Sequence, residues 1–218
     1  MIVSWNALMI KSLLFSGRVM KKKSWINIGQ KALDFICQNM FSNEKLNTIY
    51  DENSKLSGYL DDYAFLLDAL IESMQANFRG IDYDFSLKLS NKIVKNFQSD
   101  EGAFFFTDHN HETLFDREIL SEDDATPSGN GIACLALQKF SQINQSSKMD
   151  EYALKVMQHL NNNIVSNPIS HPSMLSAFNY FFSKKTVIFI YGDDININNW
   201  YEKLPQEVYL KSIVIFLN

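Results

Sequence analysis

Small polar clusters stand directly before three of the apolar helical segments in this chain, and they constrain its fold more than any other feature. The clusters are Ser-Trp-Asn at residues 4–6, Asp-Asp-Tyr at 61–63 and Pro-Ser-Gly-Asn at 127–130. Between each pair of these helix starts lies an amphipathic segment that lacks such a cluster. The alternation predicts a ring of helical hairpins whose inner helices direct their N-termini, with the polar clusters, toward one opening.

Apolar residues at helical spacing predict a mainly α chain. Ser24 is expected to be the N-cap of the second helix, and the short turn around Gly80 makes the third and fourth helices antiparallel neighbours. Seven helices are predicted, at about residues 5–19, 24–40, 61–77, 82–97, 128–140, 150–161 and 172–182.

Two other regions have a pattern typical of extended structure. Residues 102–107 and 113–115 are rich in phenylalanine and threonine and flank a polar segment, which predicts a β-hairpin or an extended flap. Near the end, the β-branched segments at 186–191 and 208–216 surround a short helix near 196–203 and predict a parallel β-α-β unit. We therefore expect the helical ring over residues 1–184 and the β-α-β segment over residues 185–218.

Composition narrows the classes of partner. The net charge of -5 argues against nucleic acid, and the basic residues 21–23 fall at a predicted helix-helix turn, where a solvated role is expected. No apolar stretch approaches the roughly 20 residues that span a bilayer, and the first residues do not have the pattern of a signal peptide. The expectation is a cytoplasmic protein without a membrane or cofactor. Cys37 and Cys134 lie within apolar helical segments and are predicted to be core residues.

Several motifs occur in the order found in one known family. They are Ser-Trp-Asn-Ala-Leu-Met-Ile at residues 4–10, Gly-Tyr-Leu-Asp-Asp-Tyr-Ala-Phe at 58–65, Phe-Phe-Phe-Thr at 104–107, Arg117, and residues 123–130. The chain resembles the thioredoxin-domain-containing family of spermatogenesis-associated and YyaL-like proteins. The resemblance implies an (α/α)6 toroid similar to N-acylglucosamine 2-epimerases and six-hairpin glycosidases, and hence a carbohydrate ligand.

The chain also departs from the family pattern. Members carry a thioredoxin-like domain and further hairpins before the Ser-Trp-Asn motif, whereas this sequence starts three residues before it. The resemblance therefore implies a partial toroid, and a fragment, an oligomer or a complex with an N-terminal half carrying the thioredoxin-like domain is expected. Ile119 stands where the family tends to have lysine, which weakens a cationic site around Arg117.

Asp61 and Asp62 are the candidate catalytic residues. Sugar hydrolysis uses two carboxylates and epimerisation needs a proton acceptor, so this pair suits either reaction. The alternative is that an aspartate at a helix start caps the free backbone N–H groups. The candidate substrate-binding residues are Trp5, Asn6, Tyr63, Arg117, Asp123, Ser128 and Asn130.

The binding candidates have different chemical merits. Amides such as Asn6 and Asn130 match sugar hydroxyls because they both donate and accept hydrogen bonds. Trp5 and Tyr63 offer rings for stacking, with core packing as the alternative, and Ser128 is expected to cap a helix rather than to act as a nucleophile. Arg117 and Asp123 are predicted to form an ion pair that fastens the flap.

Histidines add little to these candidates. His109 and His111 alternate in the predicted flap, a geometry compatible with a metal, but no third ligand has suitable spacing and no metal is predicted. The related epimerases use inner-helix histidines, and His171 is the single candidate here. Three hypotheses follow: a sugar epimerase-like or glycosidase-like enzyme, a non-catalytic glycan- or protein-binding module, and a truncated subunit.

Overall fold

The computed structural model describes residues 1–51, 56–111, 116–183 and 186–218. Helices dominate this part of the chain, and each of the seven predicted helices is present within a few residues of its expected bounds. They are α1 (Val3–Val19), α2 (Lys23–Asn39), α3 (Leu60–Ala76), α4 (Gly80–Phe97), α5 (Gly129–Asn144), α6 (Lys148–Ser166) and α7 (Pro172–Phe182).

The helices form two layers of a partial toroid. α3 packs between α1 and α5, and α5 also packs against α7, so these four helices form the inner layer. The outer helices α2, α4 and α6 each pack against the inner helix that precedes them. Every residue of α3 except Asp61 is buried, as expected for a helix with neighbours on both sides. The predicted ring of hairpins is confirmed.

The inner helices approach one another closely near their N-termini. A Cβ atom added at Gly131 on α5 would lie 2.0 Å from Ser173 Oγ and 2.9 Å from Met174 N on α7. No side chain fits at such distances, so glycine is required for α5 and α7 to pack in this way.

The C-terminal residues form the predicted parallel unit. Strands β3 (Thr186–Tyr191) and β4 (Ser212–Leu217) pair in parallel, with Thr186 opposite Ser212. Two helices connect them, α8 (Asp194–Lys203) and α9 (Gln206–Lys211), whereas the sequence predicts one. Residues 208–211, predicted to be extended, are helical and belong to α9. The predicted boundary between residues 184 and 185 lies outside the described residues and stays a prediction.

Between the helices, the structure differs from several predictions of local structure. Of the predicted flap, residues 102–107 contain one isolated bridge, from Phe104 to Gln98, and no strand, while residues 113–115 lie outside the described part. A small antiparallel hairpin occurs instead in a predicted loop, where Asn43 and Glu44 adopt positive φ between β1 (Phe41–Ser42) and β2 (Lys45–Leu46). Ser24 is not an N-cap, since α2 begins at Lys23.

Arg18 fastens the C-terminal unit to the inner helices. Its side chain is 2% exposed, and Nε donates to Glu72 Oε1 of α3 at 2.7 Å. Nη1 donates to the carbonyl of Tyr209 on α9 at 3.1 Å, while the Tyr201 hydroxyl of α8 donates to the Arg18 carbonyl at 3.3 Å. The unit therefore sits at the C-terminal ends of α1 and α3, and the N-terminal ends of the inner helices lie on the opposite side.

Within the described ranges, none of the helices combines the length and the hydropathy that a bilayer-spanning segment needs.

Candidate functional site

The N-termini of the four inner helices lie side by side and are linked by carboxylates. Asp62 of α3 accepts from the backbone N–H of Ser4 on α1, and Asp61 accepts from the N–H of Gly129 on α5. Asp123 links α5 to α7 in the same way. We call this row the N-terminal rim, and it consists of Ser4, Asp61, Asp62, Asp123, Ser128, Gly129 and Ser173.

Asp62 has both carboxylate oxygens occupied. It is 1% exposed, with Oδ1 accepting from Ser4 N and Oδ2 accepting from Tyr59 N, each at 2.9 Å. The hydroxyls of Thr48 and Ser4 also donate to it. Burial raises the pKa of Asp62, and these hydrogen bonds oppose that shift. The side chain joins α1 to α3 and caps the start of α3.

Asp61 is in a different environment, although it is adjacent in sequence. Burial, followed by the charge of Asp62, raises the pKa of Asp61 to about 6, against the opposing hydrogen bond from Gly129. An aspartate at a helix N-terminus normally has a lowered pKa because the helix dipole favours its charge. A partly exposed carboxyl with a pKa near neutrality is suited to both donating and accepting a proton.

An aromatic group that the sequence interpretation missed precedes Asp61. The ring of Tyr59 stacks on Phe106, with centroids 4.7 Å apart, and on His111, at 5.1 Å. The backbone N–H of Leu60 donates to the Phe106 carbonyl at 2.9 Å and holds the two segments together. The signal was available, because Tyr59 and Phe106 belong to the two motifs quoted above.

Asn130, Ser128 and Asp123 all have protein partners. Asn130 is fully buried and exchanges hydrogen bonds with the backbone of Phe104, at 2.9 Å and 2.8 Å. Ser128 Oγ accepts from the N–H of Gly131, so its predicted cap is formed. Asp123 accepts from Ser128 N at 3.2 Å and from Ser173 N at 2.9 Å. Their observed contacts hold the rim together.

The other predicted binding residues lie at varied depths. Trp5 is 64% exposed on α1, and Asn6 donates its side-chain amide to the Ile2 carbonyl at 2.6 Å. Tyr63 is buried, and its hydroxyl accepts from Leu46 N at 3.0 Å. Of this group, Trp5 is the residue with a broadly accessible ring.

The predicted ion pair between Arg117 and Asp123 is wrong. Arg117 donates to the carbonyls of Thr107 and Asn96, and its guanidinium lies 4.1 Å from the ring centroid of Phe105. Backbone carbonyls thus bind Arg117 and backbone N–H groups bind Asp123, so the two side chains have different partners. Arg117 therefore braces the segment before the rim.

The histidines do not assemble a metal site. Among the described residues, no group of three or more His, Cys, Asp or Glu side chains is arranged to hold a metal ion. His171 is buried, with its ring nitrogens 3.2 Å from Ser121 Oγ and 2.8 Å from the Asn167 carbonyl. This histidine holds the loop before α7.

A buried carboxylate between two partly exposed lysines of the inner helices was also missed. Lys139 Nζ of α5 lies 2.9 Å from Asp68 Oδ1, and Lys11 Nζ of α1 forms an ion pair with Oδ2 at 2.5 Å. Although burial opposes it, the two lysines lower the pKa of Asp68 to about 2. Charged residues inside otherwise apolar helices were the available signal.

Comparison with known proteins identifies relatives that match most of this chain. No family model matches the chain. Human spermatogenesis-associated protein 20 is 22% identical over 206 residues, which cover 88% of this chain and 26% of that protein. This chain is its homologue. A Caenorhabditis elegans protein designated B0495.5 is 23% identical over 206 residues, covering 88% of this chain and 28% of its own length. The chain thus spans about a quarter of the length of these relatives.

Solved structures share the fold. Cellobiose 2-epimerase from Bacillus thermoamylovorans matches with a TM-score of 0.58 and 16% identity, covering 72% of this chain and 43% of the enzyme. The GH76 α-mannanase BT2949 from Bacteroides thetaiotaomicron matches with a TM-score of 0.61 and 11% identity, covering 74% and 44%. Both are (α/α)6 toroids, so the architecture expected from the family resemblance is confirmed.

Proposed function

We propose that this chain forms part of a carbohydrate-binding toroid in which Asp61 exchanges a proton with the bound sugar. The observation that carries the proposal is the contrast along the N-terminal rim. Asp62 and Ser128 are buried, and Asp123 accepts from two backbone N–H groups, whereas Asp61 is partly exposed, accepts from the one backbone N–H of Gly129 and has a pKa of about 6. Neighbours of this fold include a sugar epimerase and a glycosidase, which supports a carbohydrate ligand.

Asp61 and Asp62 have unequal roles in this proposal. Asp61 is the general acid/base, and Asp62 acts on it through charge and through the position of the α3 N-terminus. Trp5 supplies an exposed ring on α1 for stacking against a sugar. Asn6, Tyr63, Arg117, Asp123, Ser128 and Asn130 are proposed to position this site through the contacts described above.

Asp61→Asn tests the assignment because it separates function from stability. The folded-state pKa of Asp61 lies above its ordinary value of 3.8, so its contribution to stability is complete below pH 4 and is lost as pH rises through about 6. Removing the charge should raise the free energy of unfolding at pH 7 by about 1–2 kcal/mol, less than the full pKa shift implies because solvent screens this partly exposed carboxyl, and leave it unchanged at pH 4. Urea unfolding at both pH values measures this effect.

The same variant should lose turnover of the sugar but keep its binding. Thermal melting with a panel of mono- and disaccharides is expected to show a raised midpoint for the wild type and for Asp61→Asn alike, because the amide still binds hydroxyls, whereas epimerisation or hydrolysis of the sugar that binds should be found for the wild type and not for Asp61→Asn. Asp62→Asn is the matched control: its amide NH₂ would face a backbone N–H donor, so it should lose about 1–3 kcal/mol of stability. A destabilised Asp61→Asn that keeps the turnover of the wild type would make Asp61 a structural brace instead.

A second function, binding of another helical hairpin, is favoured by an exposed apolar face. Trp5 and Met9 of α1 are 64% and 62% exposed, and a groove of about 250 Å³ between α1 and α2 is lined by Ile10, Ala32 and Phe35. Within the part of the chain that the structure describes, α1 packs against one inner helix, α3, whereas α3 packs against two, α1 and α5. The solved toroids extend beyond the region matched here, so we propose that the hairpin completing the ring packs on this face.

Charged substitutions on this face test the second function. Trp5→Lys with Met9→Lys should shift a self-associating or aggregating protein toward monomer in analytical ultracentrifugation, because the exposed apolar area is reduced. Ser12→Lys, also on an exposed position of α1, is the control and should change little. A wild-type chain that is monomeric at every concentration would contradict the proposal.

A further inference from the structure

A pocket of about 280 Å³ lies where the C-terminal unit meets the helical layers. Its floor is apolar and buried, formed by Ile26 of α2, Tyr201 of α8 and Phe216 of β4. We call it the junction pocket. It faces the C-terminal end of α3, since Ala76 and Asn77 line it. Asp61 is at the other end of that helix, about 22 Å away at 1.5 Å per residue, so the two sites are separate.

Amide side chains surround this apolar floor. Asn27, Asn77, Asn198 and Asn218 line the pocket from four different segments. Asn77 donates to Gln30 Oε1, and both Asn198 and Asn218 donate to Asp194, so these three amides each use an N–H inside the protein. These hydrogen bonds hold the orientation of the three amides. At the mouth of the pocket the amides offer both donors and acceptors, a combination suited to hydroxyl groups.

The charge around the pocket is balanced. Among the described residues that line the pocket, Lys23 and Asp194 carry charges at neutral pH, and these charges cancel. A strongly anionic or cationic ligand gains no net attraction there. The pocket also opens beside the carboxyl end of β4, at Phe216 and Asn218, which is where open α/β sheets bind ligands.

We propose that the junction pocket binds a neutral, hydroxyl-rich ring of monosaccharide size. The apolar floor takes the C–H face of the ring, and the amides bind its hydroxyls. This site is independent of Asp61 and of the proton transfer proposed for it. A sugar unit held here would give the protein a second point of contact with carbohydrate.

The test is a titration of the ¹⁵N-labelled chain with methyl glucopyranoside or methyl mannopyranoside, followed by NMR. At concentrations up to about 10 mM, we expect shifts of the side-chain amide signals of Asn27 and Asn198. Asn198→Trp, which fills the pocket from an exposed position on α8, should weaken binding by about tenfold or more. Asn199→Trp is the matched control, because Asn199 is exposed on the same helix but does not line the pocket, and it should bind as the wild type does.

Two results would overturn the proposal. One is an absence of shifts at the asparagine amides with either sugar. If a nucleoside such as adenosine produced the shifts while neither sugar did, the proposal would be overturned as well. The other is a set of shifts that Asn198→Trp leaves unchanged. Shifts confined to the Gly129 amide, beside Asp61, would reject the junction pocket while supporting the rim as the sugar site, so the two proposals fail separately.

Discussion

Arg18→Ala is expected to lower the free energy of unfolding by about 3–5 kcal/mol, because it leaves Glu72 buried without its charge partner. The loss is compounded at the C-terminal unit, since the bond to the Tyr209 carbonyl and the contact with the Tyr209 ring also disappear. Urea unfolding followed by far-UV circular dichroism measures the change. We further expect hydrogen exchange to become faster in β3 and β4 than in α5 and α6.

A double substitution separates lost charge from lost packing. Arg18→Met combined with Glu72→Met replaces the buried pair with apolar side chains of similar length and should recover most of the stability lost in Arg18→Ala. Lys211→Ala serves as a control: it removes an ion pair with Glu207 in which both side chains are exposed, and its cost should be much smaller. Equal losses for Arg18→Ala and Lys211→Ala would show that burial of the Arg18 pair has no special weight.

Asp68→Ala is expected to cost about 3 kcal/mol, since it leaves Lys11 and Lys139 facing each other between α1 and α5. The acid sensitivity of this group has a defined sign. The pKa of Asp68 is about 2 in the folded state and 3.8 ordinarily, so its contribution is present above pH 4 and lost as pH falls toward 2. Integrated over that shift, the contribution is about 2–3 kcal/mol.

The measurement is the difference in unfolding free energy between wild type and Asp68→Asn from pH 2 to pH 7. That difference should be constant above pH 5 and shrink below pH 4. Asp61 loses its proton at higher pH, through about 6, and its contribution to stability falls as pH rises, whereas that of Asp68 grows, so the two carboxylates act in different pH windows. A difference that stays constant down to pH 2 would contradict the assignment of acid sensitivity to Asp68.

Sequence reasoning succeeded where the signal is local. Apolar residues at helical spacing located the inner and outer helices. Each helix buries its apolar residues either along one stripe or around its whole circumference, and both patterns can be read from the sequence. Ser128 was identified as a cap because a serine before a glycine-rich helix start accepts from a backbone N–H three residues later. The parallel β3–β4 pair followed from two β-branched segments joined by a helical connection.

It failed where distant residues decide. One contact of Asp62 is local, from the N–H of Tyr59, but its difference from Asp61 also depends on Ser4, 58 residues away, which donates to Asp62. Arg117 was assigned the wrong partner because its actual acceptors are backbone carbonyls, which sequence patterns do not reveal. Residues 208–211 have strand-forming side chains yet lie in α9, where tertiary packing of Tyr209 against Arg18 outweighs local preference.

The bond between Arg18 and Tyr209 spans 191 positions of sequence and so makes the completion of folding a late event. A chain emerging from the ribosome forms α1 and α3 early, and the Arg18–Glu72 pair can assemble as soon as both helices exist. The Nη1 donor of Arg18 finds its carbonyl only after a further 191 residues have been synthesised, and closing such a large loop is slow. During synthesis, the C-terminal ends of α1 and α3 therefore stay uncovered. This is the stage at which a chaperone would shield their exposed apolar surface.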